Sequence, residues 1–245
     1  MKVDRGDGSA GILKRLVGLC LGQQGLWAFI FLLFAAQLLG PVIDSPLVRL
    51  LTALLFSLFL VAGVFSLSSH PAIRTLAGLL VLAAIALRWL RLAMPSPAII
   101  ALGMAVSLVF MIFLTLSCIR RVFRDDQAVT GERVTGAVAV YLLFGLTFAY
   151  LYGIIDQLLP GAFNLPATTN LDDPTHQESF TYFSFITLTT LGYGDITPVH
   201  PAARMCAAIQ ALFGQLYPAT LLARLVSLEI MHRQAPQPLP PGDEG

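Results

Sequence analysis

The sequence predicts an all-α integral membrane protein with six transmembrane helices and one re-entrant segment per chain. Three observations lead there. The 245 residues are 56% hydrophobic and only 12% charged, whereas a soluble domain carries about 25% charged residues. Several uncharged runs reach the length of about 20 residues that crosses roughly 30 Å of hydrocarbon. One further apolar run is too short and too glycine-broken to cross. The same charge deficit excludes a soluble enzyme, and a net charge of +1 lacks the basic excess of a nucleic-acid binder. Cys20, Cys118 and Cys206 lie far apart beside apolar stretches, with neither disulfide nor metal-ligand spacing.

Residues 1–20 read as a cytosolic N-terminal segment. The apolar run behind it is too long for a cleavable signal peptide and has no A-x-A-like site close by. Uncharged runs at 16–43, 50–73, 92–119, 134–155 and 205–223 place helices near 23–40, 47–68, 97–118, 133–155 and 200–230. A sixth helix, near 72–92, is weaker, because only 13 residues separate Arg74 from Arg88. That helical length reaches about 20 Å, so both arginines must snorkel. The resulting plan has a four-helix domain at 21–119, a charged linker at 120–132, a second region at 133–231 and a proline-rich disordered tail at 232–245. Both termini are expected in the cytosol of a multi-pass cell-membrane protein. That arrangement leaves eleven lysines and arginines inside and only Arg49, Arg88, Arg91 and Arg204 outside.

The short apolar run, 179–194, contains Gly192 and Gly194 and is flanked by Glu178 and Asp195. It is expected to enter and leave on one side of the membrane. A helix over 178–189 is followed by an extended stretch ending Thr189-Thr190-Leu191-Gly192-Tyr193-Gly194-Asp195. Alternating glycines allow φ > 0, so that successive carbonyls turn to one side. Four such strands around an axis replace the water shell of a cation with backbone oxygens, and the helix aims its negative C-terminal end at the ion.

TTLGYGD resembles the selectivity-filter signature of potassium channels, with leucine in place of valine, and the resemblance to the pore-loop channel family covers roughly residues 133–231. It implies an outer helix, pore helix, filter and inner helix in each chain of a homotetramer embedded in membrane lipid. It further implies passive conduction of potassium, the permeant ligand, with no cofactor and no enzymatic step. Carbonyls of Thr190, Leu191, Gly192 and Tyr193 would coordinate potassium, with Gly194 completing the filter and the Thr190 hydroxyl closing the innermost site. Tyr193 would pack behind the filter near the Thr187 hydroxyl. Asp195 would sit behind the outer mouth, with Tyr182 in the place of an aromatic donor to it; Thr189 belongs to the same support. Tyr182 and Phe183 replace a frequent tryptophan pair, and Phe183 has no hydrogen to donate. Ile186 stands where some bacterial relatives carry a carboxylate. Gly214 lies 20 residues past Gly194, at the place of an inner-helix hinge glycine, although it also suits close helix packing. Pro218 is expected to kink that helix.

Other features stay open. Arg88 and Arg91 have the spacing of a voltage sensor, but steep gating needs about 3–4 charges per subunit, and the helix at 97–118 has none. Interface anchoring and little intrinsic voltage dependence are expected. The run from Arg120 to Arg133 is a coupling linker or a positive-inside anchor. Asp156, Asp172, Asp173 and Glu178 either concentrate cations or solvate a surface loop. The histidines fall in loops or at helix ends. A non-conducting regulatory subunit and a non-selective cation channel are the competing functions.

Overall fold

The computed structural model of the protein describes residues 71–94, 96–123, 131–166 and 176–234, together with Leu54 and Ser57. Apart from those two positions, the spans expected at 23–40 and 47–68 lie outside the described residues. So do the N-terminal segment, linker residues 124–130 and the tail from residue 235 onward.

The described chain runs α1 (Pro71–Ala93), α2 (Pro97–Phe123), α3 (Gly131–Leu158), β1 (Phe163–Asn164), α4 (Gln177–Leu188), β2 (Thr197–Pro198) and α5 (Pro201–Gln234). Pro71, Pro97 and Pro201 each open a helix, at the position where a missing N–H costs nothing and a fixed φ suits the turn. Helix α1 forms over the weak stretch expected near 72–92, though it is not among the stretches long and apolar enough to cross a membrane. Helix α4 is one residue ahead of the expected 178–189. Among the described residues, three stretches are long and apolar enough to cross a membrane: Pro97–Arg120, Gly136–Leu158 and Pro201–Arg224. Helix α5 extends three residues beyond the expected boundary at 231. Leaving the hydrocarbon does not end a helix, whereas Pro236 disfavours helical backbone in the residue before it.

Helix α2 packs between α1 and α3 around Phe110, Met111, Leu114, Leu143 and Leu146. Helix α4 lies against α3 in a second, aromatic cluster. Tyr152 meets Phe183 edge-on with ring centroids 5.0 Å apart, and Phe163 meets Phe180 at 4.9 Å, the geometry favoured by ring quadrupoles. Phe183 thus serves packing, being 4% exposed.

A chain of buried hydrogen bonds crosses this cluster and joins three helices. The Tyr152 hydroxyl donates to Gln210 Oε1 at 2.6 Å, Gln210 Nε2 donates to Ser184 Oγ at 2.7 Å, and Ser184 Oγ donates to the Gly145 carbonyl at 2.6 Å. Tyr152, Ser184 and Gln210 are all fully buried, and each polar side chain is satisfied by the next.

Glycines set how closely the helices approach. A Cβ on Gly145 would meet the Phe185 ring at 2.5 Å. A Cβ on Gly214 would run into the carbonyl oxygen of Leu188 and lie 2.8 Å from its carbon. Gly214 therefore lets α5 rest on the last residue of α4, which accounts for the glycine through packing. Four residues on, Pro218 has no N–H to give the Gly214 carbonyl, yet α5 continues through it.

The connections flanking α4 hold a feature the sequence did not announce. Strands β1 and β2 pair antiparallel, Phe163 with Pro198 and Asn164 with Thr197. The Ala162 carbonyl accepts from Val199 and His200 at 2.8 and 3.2 Å. The loop behind Asp195 is thereby tied to the end of α3.

Two outcomes follow for the packing. Gly214→Ala should destabilise the protein by about 1–3 kcal/mol, an overpacking cost, measured by thermal unfolding in detergent. Gly78→Ala, where nothing lies within 4 Å of the new Cβ, should gain up to about 1 kcal/mol from helix propensity; equal stability of the two variants would contradict the close approach. Gln210→Leu should cost about 1–3 kcal/mol for the Tyr152 hydroxyl it strands. Combined with Ser184→Ala its cost should be non-additive, and strict additivity would mean the three groups do not act as one network.

Candidate functional site

The site begins where α4 ends. The last four carbonyls of a helix have no intrahelical partner, and here each finds one. Phe185 accepts from the Thr189 N–H at 3.0 Å and the Thr189 hydroxyl at 2.8 Å. Thr187 accepts from the Thr190 N–H at 3.0 Å, and Ile186 accepts from the N–H groups of Leu191 and Gly192 at 2.8 and 3.2 Å. Leu188 accepts the Tyr141 hydroxyl at 3.1 Å. The pairings Leu191→Ile186 and Thr190→Thr187 are those of a Schellman cap, which requires a left-handed residue just past the end. That residue is Thr190, at φ +58°.

A β-branched residue in the left-handed region costs about 1–3 kcal/mol, and glycine is the usual occupant. The hydroxyl marks the difference: Gln215 Nε2 of α5 donates to Thr190 Oγ1 at 3.0 Å.

Past Thr190 the backbone alternates. Gly192 has φ +56° and Gly194 has φ +82°, whereas Leu191 and Tyr193 are not in the positive region. A Cβ on either glycine would meet nothing within 4 Å, so conformation rather than space demands glycine at both. Positive φ at positions 190, 192 and 194 is the alternation expected from the glycines, extended one step to a threonine. The N–H groups of Thr190, Leu191 and Gly192 all turn back onto carbonyls of α4. Within the chain, no hydrogen bond of the described residues ends on the carbonyls of Thr190, Leu191, Gly192 or Tyr193.

The supporting residues fall as follows. Tyr182 is within hydrogen-bonding reach of Asp195. Burial first, then that hydrogen bond and the nearby negative charge, push its phenol up to about 12, so it remains a donor at neutral pH. The side chain of Ile186 is 7% exposed, and its carbonyl anchors the strand. Thr189 caps α4 rather than reaching the strand. Tyr193 is 68% exposed in the single chain, and among the described residues no hydrogen bond joins it to Thr187. Glu178 stands in the first turn of α4, where a negative charge suits the helix dipole. Asp172 and Asp173 lie outside the described residues. His176 and His200 hold helix ends: the His176 carbonyl accepts from Phe180 at 3.0 Å, and His200 Nδ1 accepts from the Ala202 N–H at 3.2 Å. Tyr141, Tyr152, Gln210 and Gln215 were not singled out from sequence. Polar residues inside apolar spans were the available signal, since such groups need partners there.

Comparison with known proteins agrees with this geometry. A family model described as "Ion channel" matches residues 136–229. The chain is similar to "Two pore potassium channel c" of Oryza sativa subsp. japonica, with 39% identity over 88 residues, 36% of this chain and 17% of the relative. It is also similar to "Protein LctB" of Bacillus caldotenax, with 34% identity over 87 residues, 35% of this chain and 64% of the relative. The chain thus spans less than two thirds of either relative. No solved structure matches it. The matched segment, residues 136–229, carries α4, the glycine strand and the two apolar helices around them, and the family model together with the potassium-channel relative supports a place in the pore-loop potassium-channel family.

Proposed function

We propose that the protein is a potassium-selective channel of the cell membrane, assembled from four copies of this chain, and that Thr190–Gly194 is its filter. The observation that carries the reading is the one-sidedness of that strand. The N–H groups of Thr190, Leu191 and Gly192 are consumed by α4, which turns the carbonyls of the same peptides, Thr190 and Leu191 among them, away from the helix; with Gly192 and Tyr193 they are left to replace a cation's hydration shell. Short helix α4 is the pore helix, α3 the outer helix and α5 the inner helix. Catalysis has no part in this function; the protein lowers the cost of dehydrating an ion.

One strand cannot surround an ion, so the reading requires several chains. The exposure of Leu191 (56%) and Tyr193 (68%) in the single chain supports it, as do the apolar side chains of Met205, Leu212 and Leu216 on the open side of α5. In a tetramer the Tyr193 ring packs against a neighbouring copy. With Arg88 and Arg91 confined to the end of α1, opening depends little on voltage.

Reversal potentials of the purified protein in lipid, under opposing potassium and sodium gradients, should sit near the potassium value; equal permeability to the two ions would overturn the assignment. Gly192→Ala and Gly194→Ala should each abolish conduction, because the added Cβ disfavours positive φ by about 1–2 kcal/mol in every copy. Wild-type currents from both would place the filter elsewhere. Native mass spectrometry in detergent should give four copies of 26.4 kDa, and a conducting monomer would refute the assembly.

A further inference from the structure

The filter reading gives Thr190 the innermost coordinating oxygens and leaves Gln215 without a task. Gln215 follows Gly214 on α5. The absence of a Cβ at Gly214 brings α5 against the Leu188 carbonyl, and from there the Gln215 amide spans 25 positions of sequence to donate to Thr190 Oγ1 at 3.0 Å. Gln215 is exposed in the chain, so its side chain fills no packed interior. The contact also ends on a residue held in a strained left-handed conformation, φ +58°.

The outer sites of the strand use backbone carbonyls, whose direction is fixed by the alternation of φ. The innermost ring depends on a hydroxyl, which rotates freely and carries one hydrogen and two lone pairs. An amide N–H bound to Oγ1 occupies one lone pair and gives the other a defined direction. We propose that Gln215 is a positioning residue of the cation pathway: it holds the Thr190 hydroxyl oxygen for the innermost ion and so sets discrimination between potassium and sodium at that ring. Discrimination there depends on the number and field strength of the oxygens, and a wandering hydroxyl lowers both. This inference rests on the filter reading.

The test is the potassium-to-sodium permeability ratio of the full chain in bilayers, measured for Gln215→Met, which keeps an unbranched side chain of similar length without a donor. The ratio should fall about three- to tenfold, the worth of one hydrogen bond, with the native mass unchanged. In a Thr190→Val background, or in Thr190→Ala if the first does not assemble, adding Gln215→Met should change the ratio no further, since there is no hydroxyl left to hold. Two results overturn the proposal: a wild-type ratio in Gln215→Met, or a fall of the same size with and without the Thr190 hydroxyl, which would mean that the side chain acts through shape alone. Failure of the filter reading looks different, because the unaltered protein would then show equal permeability and the role of Gln215 would vanish with it.

Discussion

Backbone hydrogen bonding at the C-terminal end of α4 sets the direction of everything that follows it. Four carbonyls there have lost their helical donors; those of Phe185, Ile186 and Thr187 take the N–H groups of Thr189, Thr190, Leu191 and Gly192 in their place, and that of Leu188 takes the Tyr141 hydroxyl. A peptide group that turns its N–H inward turns its carbonyl outward. The strand cannot satisfy the helix end and hide its own oxygens as well. That constraint turns the Thr189, Thr190 and Leu191 carbonyls away from α4, and it also produces the positive φ at Thr190, which the cap requires before the glycines begin.

Such an end holds only if the helix itself is fixed, and three neighbours fix it. Tyr141 of α3 holds the Leu188 carbonyl, α5 lies directly on the same residue at Gly214, and the Tyr152–Gln210–Ser184 chain bolts α4 between α3 and α5. Buried polar groups away from water gain from being fully paired and are costly when broken. Beyond the glycines, pairing of β1 with β2 and the Tyr182–Asp195 contact hold the far end of the strand. The strand is therefore clamped at both ends while Leu191 and Tyr193 in its middle stay exposed in the single chain.

Much of this was legible in the sequence because its signals are local. Charge spacing gave α2, α3 and α5, since only length and apolarity matter for crossing lipid. Gly192 and Gly194 announced the alternation because glycine is tolerant of positive φ. What could not be read depends on distant residues meeting. Threonine gives no sign in sequence that it will cap a helix in a left-handed conformation, and Thr190 does so. Gln210 and Gln215 look like polar interruptions of a span until α4 is placed beside them. Gly214 admits a hinge or a close contact by sequence, and the position of the Leu188 carbonyl accounts for it through contact. Tyr193 is expected to be covered behind the filter, and in the single chain it is 68% exposed.

The central claim is that the outward carbonyls of Thr190–Tyr193 line a shared axis and bind dehydrated potassium. The most direct measurement is a cryo-electron microscopy map of the protein in lipid nanodiscs with potassium. The account requires fourfold symmetry, with ion density between successive rings of these carbonyls and the Thr190 hydroxyls at the inner end. A map in which the glycine strand faces lipid, or in which its carbonyls point away from any common axis, would contradict it.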